Sequence, residues 1–253
     1  MTQISRLPLL ALLLWPVAAN CQLVPEFNPP KSHCCLATAA KTLADQLLDW
    51  NQLGRYHADN EKLKAGPGDA HRVVFLGDSI TDGWRLEQSF PGKPYVNRGI
   101  GGQTTPQMLA RVFADVIDLK PAAVVLLAGI NDIAGNTGPE TLTMIAENIQ
   151  AITELAVAHG IPVILCSLTP VSDYTAHPQT VTHPPADILA VNAWLRNYAT
   201  KANVGFADYY AALADEKGRL REGYSADGLH PNARGYQTLA PVAEAAIEKT
   251  LPQ

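Results

Sequence analysis

The stretch Val73-Val74-Phe75-Leu76-Gly77-Asp78-Ser79-Ile80-Thr81 decides how the rest of the chain is read. Val73, Val74, Phe75 and Leu76 form the continuous apolar run of a strand buried on both faces. The run stops at Gly77-Asp78-Ser79, a turn cluster. Glycine there can adopt backbone angles closed to other residues, and aspartate can bond nearby backbone N–H groups. A hydroxyl at the C-terminal end of a parallel strand stands where α/β sheets bind ligands. Taken alone, Ser79 is more simply read as the cap of the helix that follows.

Outward from this stretch, strand-like and helix-like runs alternate. Residues 95–97 read as a short second strand, followed at once by Gly99, Gly101 and Gly102. Thr105 as N-cap and Pro106 at the first helical position open a helix to about residue 119. Residues 122–128 are the third strand, closing at Gly129-Ile130-Asn131-Asp132. Residues 139–159 carry the clearest helical pattern, with Leu142, Ile145, Ile149 and Ile152 on one face and Gly160 as terminator. Residues 161–168 are the fourth strand. The polar, proline-bearing loop 170–185, with Tyr174, His177 and His183, has the length of a functional or mobile segment. A helix at 186–200, a last strand at 204–209, a short helix at 210–216 and a terminal helix from Asn232 or Ala233 to about Lys249 complete the pattern. Five strands alternating with helices predict a parallel sheet covered on both faces.

Upstream, Arg6 precedes an apolar run from Leu7 to Val17, and Ala18 and Ala19 follow. This is the layout of a secretory signal peptide cleaved after Ala19, too short to span a bilayer comfortably. Cys21 invites a lipoprotein reading, against which stands Asn20 where a small residue is usual. The sequence therefore predicts a signal peptide at 1–19, an N-terminal arm and helical segment at 20–68, and a main domain at 69–253. In the 20–68 segment, residues 24–33 are a proline-rich arm, and Leu43, Leu47, Leu48 and Trp50 form an apolar stripe expected to pack on the main domain. The expected location is secreted or periplasmic, an oxidising compartment in which Cys21 can bridge to Cys34 or Cys35. Cys166, inside the fourth strand, reads as a buried thiol.

The chain has 253 residues and a formal net charge of −5, with Lys and Arg scattered. That balance argues against nucleic acid as a partner, because no basic patch stands out to replace counterions on phosphate. No Cys or His spacing resembles a zinc site, and His33, His57, His71, His159 and His177 have no partner at a suggestive spacing.

The special residues fall after successive strands: Ser79 after the first, the glycine cluster after the second, Asn131 after the third, and Asp227-Gly228-Leu229-His230-Pro231 after the fifth. In a parallel sheet these turns open on one edge. Together they hold what acyl transfer requires. His230 can take the proton of Ser79, and Asp227, three residues earlier, can orient His230. The N–H groups of Ser79 and Gly102 and the side-chain amide of Asn131 can serve a developing oxyanion. Asp78 and Asp132 read as braces for their turns, Trp84 as core, and Tyr174 as a candidate pocket residue. Gly77-Asp78-Ser79-Ile80, Gly99-Ile100-Gly101-Gly102, Gly129-Ile130-Asn131-Asp132 and Asp227-Gly228-Leu229-His230-Pro231 resemble, in order, the four motif blocks of the SGNH/GDSL hydrolases. The similarity is greatest to their platelet-activating-factor acetylhydrolase-like branch. It runs from about residue 72 to 245.

The resemblance implies a flavodoxin-like three-layer α/β/α fold with a five-stranded parallel sheet, no cofactor, and ester hydrolysis through an acyl-serine. It also implies Ser79, Asp227 and His230 as the catalytic residues and Ser79, Gly102 and Asn131 as the oxyanion hole. The function expected is a secreted serine esterase acting on acetyl or other short acyl esters of carbohydrates or lipids. An acyltransferase using the same site, with an alcohol in place of water, stays open. A catalytically silent binding module also stays open, although the intact Ser79, Asp227 and His230 speak against it. The Gly-x-Ser-x-Gly elbow of ordinary α/β-hydrolases is missing around Ser79.

Overall fold

All five apolar runs enter one sheet. The computed structural model describes residue 44 and residues 47–251, which belong to a compact unit, Leu43–Gln253. The leader at 1–19, Cys21 and its bridge to Cys34 or Cys35, the proline-rich arm, His33 and Leu43 lie outside the described residues. The strands are β1 (Val73–Gly77), β2 (Tyr95–Gly99), β3 (Ala123–Leu127), β4 (Val163–Cys166) and β5 (Gly205–Ala207). They pair in parallel in the order β2-β1-β3-β4-β5. Every residue of β1, β3 and β4 is buried, as continuous Val/Ile/Leu runs require when helices cover both faces.

The helices are α1 (His57–Ala65), α2 (Ser79–Asp82), α3 (Leu86–Ser89), α4 (Thr105–Asp115), α5 (Ile130–Ile133), α6 (Leu142–Ala158), α7 (Pro185–Ala202), α8 (Tyr209–Leu213) and α9 (Ala233–Thr250). α4, α6 and α7 pack in sequence on one side of the sheet, and α9 lies across β3, β4 and β5 on the other. The fold is the expected flavodoxin-like three-layer sandwich. In this strand order the connections reverse direction between β1 and β3, and a crevice opens there at the C-terminal strand ends. The register is flush: Gly77 pairs with Gly99 on one side and Leu127 on the other. The turns that leave β1, β2 and β3 therefore stand side by side.

Local expectations shift in three places. α4 is capped by Thr104, not Thr105, because Thr104 and Gln107 close a reciprocal capping box, and a 3₁₀ turn at Ile117–Leu119 follows the helix. In α6, Ile145, Ile149 and Ile152 are buried, whereas Leu142 in the first turn is exposed. The stripe of Leu47, Leu48 and Trp50 is also exposed, the two leucines by more than four-fifths. Its periodicity breaks at Asp49, whose carboxylate takes the N–H groups of Leu53 and Gly54.

Backbone and polar groups dock this segment instead. Gln107 Nε2 donates to Trp50 O (2.7 Å) and Gln103 Nε2 to Asn51 O (3.0 Å). Asn60 donates to Asp115 (2.6 Å) and accepts from Arg98 (2.9 Å), which also pairs with Asp59 (2.6 Å). The Tyr56 hydroxyl donates to Gly99 O at the end of β2.

Candidate active site

β1 delivers its turn into the crevice under tight steric control. A Cβ on Gly77 would lie 2.1 Å from Thr81 Oγ1 and 2.9 Å from Leu127 O, so glycine is required by close approach. Its φ is not in the left-handed region, and in this respect the reason differs from the one read in the sequence. Asp78 Oδ1 accepts from Ile80 N (2.9 Å) and starts α2, which places Ser79 at the first helical position.

The second partner comes from the opposite end of the chain. His230 Nε2 lies 2.9 Å from Ser79 Oγ, and His230 Nδ1 lies 2.6 Å from Asp227 Oδ2. Asp227 Oδ1 accepts from Leu229 N (2.9 Å), His230 N (2.8 Å) and Ser225 Oγ (3.0 Å). Partial burial works against the Asp227 charge, but the hydrogen bonds from the His230 ring and from the Leu229 and His230 N–H groups outweigh it. The carboxyl is held well below the usual range, so it stays an acceptor and keeps the Nδ1 proton of His230 in place.

Facing Ser79, the β2 turn brings Gly101 close: a Cβ there would be 3.8 Å from Ser79 Cβ. Gly102 has φ +78, a conformation that favours glycine. Among the described residues neither Ser79 N–H nor Gly102 N–H has an acceptor. Asn131 spends one amide hydrogen on Gln103 O (3.0 Å) and keeps the other. Unspent donors of this kind are what an oxyanion would require.

Two residues that the sequence did not single out, Asn136 and Arg111, hold this constellation together with Asp132, which it did single out. Asn136 donates to both Gly102 O and Asn131 Oδ1, 3.0 Å each, fixing two of the donors relative to each other. Arg111, fully buried, donates to Gly77 O (3.0 Å), Gln103 Oε1 (2.6 Å), Arg98 O (2.8 Å) and Asp115 (2.8 Å). It thus ties the β1 end to Gln103, whose carbonyl in turn receives the Asn131 amide. Asp132 receives the N–H and hydroxyl of Thr105 and braces the start of α4.

The long loop packs on the Asp227 turn through Gln179 Nε2 to Asp227 O (3.2 Å) and Ser172 N to Gly228 O (2.8 Å). His183 in that loop is buried, and burial, together with the nearby His230, pushes its pKa down. Tyr174 donates to Leu220 O, and Trp84 is core. Among the described residues no group of three or more His, Cys, Asp or Glu could hold a metal ion, and no helix is long and apolar enough to cross a membrane.

A sequence model described as the GDSL-like Lipase/Acylhydrolase family matches residues 75–238. The chain belongs to that family. The match contains Ser79, Gly102, Asn131, Asp227 and His230 and leaves α1 outside. Membership places the chain in a family of carboxylic ester hydrolases. Among solved structures, a presumed acylhydrolase from Bacteroides fragilis is 39% identical, with a TM-score of 0.75, over 81% of this chain and 99% of the other. A presumed platelet activating factor from Streptococcus pneumoniae is 26% identical, with a TM-score of 0.67, over 83% and 99%. An acetylxylan esterase of Geobacillus stearothermophilus is 33% identical over a stretch that covers 28% of this chain and 43% of that relative, so the match spans less than half of that protein.

Proposed function

We propose that this protein is a secreted serine esterase that removes acetyl or other short acyl groups from carbohydrate esters. The observation that carries the reading is the continuous hydrogen-bond path from Ser79 Oγ through both nitrogens of His230 to Asp227. As an ester carbonyl is attacked by Ser79 Oγ, His230 Nε2 takes the hydroxyl proton, and Asp227 stabilises the imidazolium that results. The Ser79 and Gly102 N–H groups and the free Asn131 amide hydrogen receive the oxyanion. His230 then returns the proton to the departing alcohol. Water enters by the same base and frees the acid from Ser79.

His230 and Asp227 keep 42% and 46% of their side-chain surface exposed, so water reaches the base freely, which favours hydrolysis over transfer to another alcohol. The nucleophile is flanked by Gly101 and, beyond it, the Asp82 carboxylate, a polar setting that suits a short acyl group better than a long one. The partial match to an acetylxylan esterase supports carbohydrate as the alcohol component. The leader-like residues 1–19 support export. The test is a panel of p-nitrophenyl esters of increasing chain length alongside acetylated sugars. Turnover of p-nitrophenyl acetate and release of acetate from the sugars are expected. Turnover rising with chain length, with no acetate released from any sugar, would contradict the assignment.

A further inference from the structure

A groove is lined on one side by the segment that carries Ser79 and on the other by the segment that carries His230. Ser79 begins α2, whose end at Gly83 forms one wall, and Pro231, the residue after His230, begins the other. The groove encloses about 390 Å³. Its wall is one helical turn from the nucleophile: Gly83 N donates to Ser79 O (2.9 Å), and the Tyr236 hydroxyl donates to Ile80 O (2.8 Å). Tyr236 stacks on buried Trp84 with ring centroids 5.3 Å apart, which makes a rigid aromatic base.

The polar groups around that base are mostly neutral and unspent. Asn232 is consumed, since Oδ1 caps α9 and Nδ2 donates to Gly223 O. Ser89 Oγ accepts from Trp84 Nε1 (2.8 Å) and retains its own hydrogen. Among the described residues none hydrogen-bonds the side chains of Arg85, Gln88 or Gln237, all of which line the groove. Two amides and a hydroxyl offer donors and acceptors together, as vicinal hydroxyls require, and an aromatic side chain suits the C–H face of a sugar ring. A single guanidinium among them is too little charge for a polyanion.

We infer that this groove is an accessory carbohydrate subsite that binds an unreacted sugar unit of an oligosaccharide whose neighbouring unit presents its acyl ester to Ser79. The inference rests on the esterase reading for the reacting unit, whereas binding in the groove is independent of it.

The test is a Gln88→Ala/Gln237→Ala double variant, compared with the wild-type enzyme on p-nitrophenyl acetate and on partially acetylated xylotetraose. Binding of unacetylated xylotetraose is followed in parallel by tryptophan fluorescence. The variant should keep its kcat/KM on p-nitrophenyl acetate and lose about tenfold on the oligosaccharide, chiefly through KM, as expected for two missing neutral hydrogen bonds. Xylotetraose binding should weaken in step. Equal losses on both esters, or no loss on either, would overturn the subsite. Absence of xylotetraose binding by the wild-type protein would overturn it as well. Binding that depends on Gln88 and Gln237 in a protein that cleaves no sugar ester would uphold the groove and remove the sugar-esterase reading instead.

Discussion

Asp78 and Asp227 are the acids of the two turns that meet at Ser79, and their surroundings are opposites. Asp78 has no exposed surface, receives one backbone N–H, and leaves Oδ2 buried without a partner among the described residues. Burial pushes its pKa up to about 7. Asp227 is nearly half exposed, and although its partial burial works the other way, the hydrogen bonds from the His230 ring and from the Leu229 and His230 N–H groups hold its carboxyl far down. The nucleophile turn is thus fixed from outside, by packing of Gly77 against Thr81 and Leu127 and by Arg111. In the base turn the carboxylate is held from within, by bonds confined to residues 225–230, while Gln179 and Ser172 of the long loop hold only main-chain carbonyls. In the proposed mechanism the charge that must persist is the one that hydrogen bonds sustain, whereas burial discourages charge on Asp78.

The comparison breaks most visibly at Asp227. Asp227→Asn removes the acceptor that fixes the His230 tautomer, and kcat should fall by about 10⁴-fold. The melting temperature should fall only modestly, because asparagine keeps one side-chain oxygen to accept the Leu229 and His230 N–H groups. A matching loss of stability would mean that Asp227 serves the turn and not the base.

Asn131→Ala should lower kcat by about 10²–10³-fold with little change in KM, since in the proposed mechanism its free hydrogen meets charge that exists only in the transition state. It should also cost stability of order 1 kcal/mol, because the bonds to Gln103 O and from Asn136 disappear. A stability loss with near-normal kcat would confine Asn131 to bracing.

The smallest effect sharpens the contrast between the two acids. For Asp78 the folded pKa lies above the unfolded value, about 3.9, so its contribution weakens stability as pH rises from about 4 to about 7. For Asp227 the sign is reversed: its stabilisation is present above the unfolded pKa and is lost as pH falls through that value towards the depressed folded one. Glu140, pushed to about 7 by burial and by the adjacent Asp132 charge, titrates in the same window as Asp78. The informative quantity is therefore the difference between wild type and Asp78→Asn. The variant should flatten part of the decline in melting temperature between pH 4 and pH 7. Parallel curves would remove the burial account of Asp78.

The sheet was legible in the sequence because apolar runs and strand-end turns are local patterns, whereas the pairing of Ser79 with His230, 151 residues away, was legible only through the joint occurrence of four special turns after successive strands. Arg111 was not. With Asp115 four residues on, it has the spacing of an exposed helical ion pair, and only the arrival of Gly77 O, Arg98 O and Gln103 from elsewhere in the fold makes it buried. Asn136 was equally silent, a polar loop residue whose two acceptors lie on different turns. The stripe of Leu47, Leu48 and Trp50 misled in the other direction: helical spacing alone cannot reveal that Asp49 interrupts the helix and that main-chain carbonyls do the docking.

The central claim is that Ser79 is the hydroxyl made nucleophilic by His230, and covalent labelling tests it most directly. Treatment with a serine-directed phosphonate, followed by intact mass and peptide mapping, should give one adduct per chain, located on Ser79. Ser79→Ala should give none while melting as the wild type does. An adduct on a different serine, or labelling that survives in Ser79→Ala, would contradict the account.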